Sequence, residues 1–149
     1  MKRFAIIFGV LLTFLSCATF QKSRDENDAD YIAGLIDSGN SQELSRLSAV
    51  PFLLDRDIVA LGPDVAVFWD SFAKGGLRLG AVTLEAVIPV FGDGYKEFAD
   101  TMEAKVFFSK YVGPGARILR LSAGSGGKLL LIVGSDVFSR KIYGFKGPF

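Results

Sequence analysis

Ala116–Gly134 reads ARILRLSAGSGGKLLLIVG, two apolar runs joined by Gly124-Ser125-Gly126-Gly127. The runs, 116–122 and 128–134, have strand length, and the glycine-rich joint has the backbone freedom a hairpin needs. Leu129 to Val133 is apolar at every position. A strand with one wet face alternates in polarity, so an unbroken run predicts a central strand covered on both sides. A third run, 140–146, follows the turn-forming Gly134-Ser135-Asp136. The chain therefore closes with consecutive antiparallel strands.

Upstream of these strands the spacing is helical. Tyr31, Ile32, Leu35 and Ile36 share a face until Ser38-Gly39 interrupts it. Ser41 to Ser48 reads as a second short helix, with Asn40 or Ser41 as cap, Leu44 and Leu47 inward, and Pro51 beyond its end. Phe52-Leu53-Leu54-Asp55 is a short apolar run. Pro63-Asp64 opens a third helix with Val65, Phe68, Trp69 and Phe72 on one side, closed by Gly75-Gly76. Residues 81–90 are rich in Val and Ile and read as a strand. After the turn Gly92-Asp93-Gly94, Tyr95, Phe98, Met102 and Val106 recur every three or four residues. That spacing predicts one helix to about Tyr111, ended by Gly113-Pro114-Gly115.

Early helices and late strands make an α+β domain over residues 31–149, with short N-terminal helices packed on a curved antiparallel sheet. The element order resembles the NTF2-like (cystatin-like) cone fold, although a helix at 94–111 departs from that family's usual order.

The N-terminus carries an address. Lys2 and Arg3 precede an apolar stretch from Phe4 to Leu15, and polarity rises from Gln21 onward. A basic head, an apolar middle and a small residue at the cut are the layout of a secretory leader. Phe4–Leu15 would span roughly 18 Å as helix, well short of the about 30 Å of a hydrocarbon core. A retained membrane span is therefore disfavoured.

Phe14-Leu15-Ser16-Cys17 resembles the lipobox of bacterial lipoproteins, with Phe14 where leucine is usual. The resemblance implies cleavage between Ser16 and Cys17. It also implies a diacylglyceryl thioether on Cys17 and a further acyl chain, such as palmitate, on the new amine. One acyl chain binds a bilayer marginally and two or more hold it firmly. Cys17 is the chain's one cysteine, so no intramolecular disulfide and no paired-cysteine metal or redox site can form.

The organisation that follows is a leader over 1–16, a lipidated cysteine and polar tether over 17–30, and one domain over 31–149. Ala18 is not the aspartate that retains some lipoproteins at the inner membrane, so by the same resemblance the outer membrane is favoured.

Composition excludes several function classes. There is no histidine, which removes Ser-His-Asp and Cys-His nucleophile systems and most zinc sites. Net charge is +1 and no basic block stands out, so nucleic acid is not an expected partner. Ser122 to Lys128 superficially matches a phosphate-binding loop. It joins two strands, however, and lacks the helix N-terminus that phosphate binding uses. Asp93, Glu97, Asp100 and Glu103 read as a solvated helix face whose early negative charge suits the dipole. No calcium-type loop accompanies them, and no metal or cofactor is expected. The terminal Phe149 is a feature shared with outer-membrane barrels, but a barrel needs at least about eight strands.

Aromatic residues make up 13% of the chain. Trp69, Phe107 and Phe108 are candidates for contact with a ligand or partner. Phe107 and Phe108 are adjacent, and so cannot both point straight inward on a helix. The expectation is a non-enzymatic envelope module that binds a protein partner or an apolar ligand. An NTF2-like enzyme acting on a small apolar substrate through a buried carboxylate is the alternative, with Asp70 as the residue to test.

Overall fold

The structure, a computed structural model, describes residues 24–135 and 139–149. The leader, the Ser16–Cys17 junction and the first part of the tether lie outside them. A helix, α1, covers residues 24–38. It is followed by α2 (Ser41–Leu47), strands β1 (Ser48–Leu54) and β2 (Asp57–Val59), α3 (Gly62–Lys74) and β3 (Val82–Pro89). A 3₁₀ turn (Gly94–Glu97), α4 (Met102–Tyr111), β4 (Arg117–Ala123), β5 (Lys128–Ser135) and β6 (Arg140–Lys146) complete the chain.

The class is α+β. The six strands form one sheet in the order β2-β1-β6-β5-β4-β3. Every neighbouring pair is antiparallel except β1 and β6, which run parallel. The expected hairpin between β4 and β5 is present, with Ser122 opposite Lys128.

Both faces of the sheet are covered. On one face α1, α2 and α3 bring Ile32, Ile36, Leu44, Leu47, Val65 and Trp69 onto Leu119, Leu121, Leu129, Leu131 and Phe145. On the other, Tyr95, Phe98, Ala104, Phe107 and Phe108 lie over Leu53, Ile118, Leu130 and Ile132. Alternate residues of the apolar β5 run thus enter opposite cores, which is why that run has no polar position.

Two sequence expectations change. The polar stretch read as a tether through Asp30 is helical from residue 24, and its Asp25 and Asp28 are buried. Arg117 makes this affordable. Its Nε bonds Asp25 and its Nη2 bonds Asp28 Oδ2 at 2.7 Å, while Arg140 Nε reaches Asp28 Oδ1 at 2.6 Å.

The helix expected from Tyr95 to Tyr111 is two pieces. Thr101 takes an extended conformation and accepts the Ala104 N–H at 3.2 Å, so it caps a new helix in place of continuing the old one.

The sheet has two distinguishable ends. Arg117, Pro89 and Arg140 lie at one, because Arg117 pairs with Pro89 and with Val133 in the sheet and binds the start of α1. The hairpin after Ala123 lies at the other. There Asp37, near the end of α1, accepts the N–H groups of Leu79 and Gly80 at 2.6 and 2.9 Å.

Candidate functional site

The restart at Thr101 resets the phase of α4. Ala104, Phe107 and Phe108 take the buried side, while Met102 and Val106, expected inside, are 68% and 47% exposed. Their outward face meets the edge of the sheet. Pro51, Ile58, Ala60, Met102, Glu103, Val106 and Tyr111 line an open groove of about 480 Å³. Its surface is mainly aliphatic and aromatic, with the Glu103 carboxylate as its charged group.

A second concavity of about 390 Å³ lies on the opposite flank of α4. Val90, Phe91, Tyr95, Phe108, Val112 and Pro114 form it together with Lys105 and Ser109. Gly92 (φ +67°) turns the chain just after Phe91, and Phe91 is left 74% exposed.

Of the three aromatic contact candidates, Trp69 and Phe107 are fully enclosed, and Phe108 lines the second concavity with little of its surface exposed. Trp69 is fully buried among Phe52, Phe72 and Phe145, and its indole Nε1 donates to Ser48 Oγ at 2.9 Å. Phe107 and Phe108 are both buried. The 3₁₀ segment flanks α4 on one side, so Phe108 packs against Phe98 while Phe107 faces the sheet. A helix flanked in this way has an inward sector wide enough for two successive side chains.

Several of the acidic residues have identified partners. Asp70 is exposed and accepts a hydrogen bond from Ser41 Oγ. Asp93 pairs with Lys96 at 2.9 Å, and its hydrogen bond raises the Lys96 ammonium above its ordinary range. Glu97 pairs with Arg120. The buried carboxylates Asp25 and Asp28 face the Arg117 guanidinium. Among the described residues no group of three or more His, Cys, Asp or Glu side chains is placed to share a metal ion. No described helix is long and apolar enough to cross a membrane.

The sequence signal for the α4 groove was present but misphased. Met102 and Val106 were visible as part of an apolar series with Tyr95 and Phe98, and the Thr101 cap decides which way they face. Comparison with known proteins adds no relative: no family model, no curated protein and no solved structure matches the chain.

Proposed function

We propose that the chain is an exported lipoprotein, anchored through lipid on Cys17, whose domain is a non-enzymatic binding module of the cell envelope. The observation that carries it is the placement of the one cysteine, one small residue beyond an apolar run too short to span a bilayer. The groove between α4 and the β1–β2 edge supports the binding half of the proposal. It is open and predominantly apolar, with Ile58, Met102, Val106 and Tyr111 exposed along it. Exposed apolar concavities of this kind suit an apolar ligand or the apolar side of a protein partner.

Metabolic labelling with an alkyne fatty acid tests the anchor: label is expected on the wild-type protein and none on Cys17→Ser. Co-purification from membranes tests the groove. Val106→Asp places a charge in it without touching the core, and should lose whatever the full-length wild-type protein retains. Equal recovery by both forms would count against the groove.

A further inference from the structure

The end of the domain that carries Phe91 is the end from which the chain leads back to Cys17, and we propose that this end rests on the bilayer that holds the anchor. The inference depends on the lipoprotein reading above and names its membrane-facing surface.

Residues 18–23 separate Cys17 from Arg24, the first described residue. Even fully extended, the seven steps from Cys17 to Arg24 span at most about 25 Å, so the start of α1 stays close to the lipid. That start is fixed on the sheet, because Asp25 and Asp28 are bound by Arg117, the first residue of β4. Arg117 sits opposite Pro89, and Phe91 lies two residues beyond. The glycine hairpin at the far end is separated from Arg117 by the length of β4, roughly 20 Å.

The chemistry at the near end suits a bilayer interface. Phe91 is an exposed aromatic ring beside Pro114 and Val112, and Tyr111 is exposed at the end of α4. Lys105 and Lys110 stand on the outer side of α4 and make no ion pair among the described residues. Asp93, close to Phe91 in the chain, is engaged by Lys96. Aromatic rings at the headgroup–acyl boundary and flexible lysine stems reaching anionic headgroups are the usual elements of interfacial binding. The occupant proposed is therefore a lipid surface containing anionic headgroups.

The test uses the full-length lipidated protein in vesicles of phosphatidylcholine and phosphatidylglycerol. Thioether formation consumes the Cys17 thiol, so a cysteine introduced by Phe91→Cys or Ser125→Cys is the sole target for an environment-sensitive maleimide dye. Position 125 lies in the far hairpin and serves as the reference. Dye at 91 should emit at shorter wavelength and be quenched by nitroxide-bearing lipid several-fold more than dye at 125. That quenching should weaken when phosphatidylglycerol is omitted.

Equal quenching at the two positions would overturn the inference and leave the anchor standing. So would a dye at 91 that responds only to envelope membranes containing protein, which would make the occupant a protein. Dye uptake by the wild-type protein would mean a free Cys17 thiol, and would overturn the anchor and this inference together.

Discussion

Arg117 donates from Nη2 to Asp28 Oδ2 at 2.7 Å across 89 positions of sequence, and both side chains are buried. Asp25 accepts from the same guanidinium, and Arg140 binds the other Asp28 oxygen while its guanidinium stacks 4.6 Å from the Tyr31 ring. A planar fork meeting two carboxylates suits arginine, which is hydrated more weakly than lysine. The cluster fastens the start of α1 to the first residues of β4 and β6.

Removing Arg117 should be costly because two buried carboxylates lose its guanidinium, and the Arg140 ion pair to Asp28 is more exposed. Arg117→Met is expected to lose about 3–5 kcal/mol. Combining it with Asp25→Leu and Asp28→Leu should recover most of that loss, because the buried charge goes with its partner. Urea midpoints of the three forms decide. A triple variant no more stable than Arg117→Met would mean that the cluster specifies α1 docking and does more than neutralise itself.

A smaller polar relay lies on the α1–α3 side. Trp69 Nε1 donates to Ser48 Oγ, which donates to the Leu44 carbonyl at 2.8 Å. Ser48→Ala removes the acceptor while the indole stays buried, an expected loss of about 1–3 kcal/mol. Trp69→Phe added to Ser48→Ala should cost less than the two changes summed, since the stranded N–H is then gone. Far-UV circular dichroism during unfolding measures this cycle without relying on Trp69, the chain's one tryptophan.

The strands were legible because their signals are local. Glycine turns bound Arg117–Ala123 and Lys128–Ser135, and the continuous apolarity of Leu129–Val133 correctly implied cover on both faces. Long-range facts were not legible. Nothing near Asp25 or Asp28 announces Arg117, so their polarity read as a solvated tether. Nothing in Ser48–Leu54 announces that it runs parallel to Arg140–Lys146.

The exposed face of α4 was not legible for a different reason. A period of three to four residues locates a helix but not its phase, and the cap at Thr101 rotated Met102 and Val106 outward while Phe107 and Phe108 went in.

Acid should weaken the contact between α1 and α2. Arg46 binds Glu43 through Nε at 2.7 Å and Nη2 at 2.6 Å, and the Tyr31 hydroxyl donates to Glu43 at 3.2 Å. The Arg46 hydrogen bonds hold the Glu43 carboxyl below its ordinary value of 4.5. A carboxyl with a lowered folded pKa contributes stability that is complete above the unfolded value and lost as pH falls through the folded one. Glu43→Gln should therefore be slightly less stable than wild type at neutral pH, with the gap closing in acid. Urea midpoints across that range measure it, and a gap that stays constant would show that protonation of Glu43 is not involved. The pair lies at the surface, with Arg46 exposed and Glu43 partly covered, so the effect is small.

Two glycines should respond to alanine in opposite directions. Gly144 lies in β6 between β1 and β5, where an added Cβ would meet the Leu53 carbonyl oxygen at 2.7 Å and Ile132 Cδ1 at 2.9 Å. Backbone on one side and a fully buried side chain on the other leave little room to yield, so Gly144→Ala should cost about 1–3 kcal/mol by overpacking. Gly34 lies on the exposed side of α1, and an added Cβ there meets nothing within 4 Å. Its backbone is helical, so alanine fits and reduces the freedom of the unfolded chain. Gly34→Ala should raise stability by about 0.5–1 kcal/mol. Thermal melts of the two variants beside wild type should bracket it from below and above. A Gly34→Ala protein no more stable than wild type would indicate that α1 is held by its buried face and the Arg117 cluster so firmly that helix propensity contributes nothing measurable.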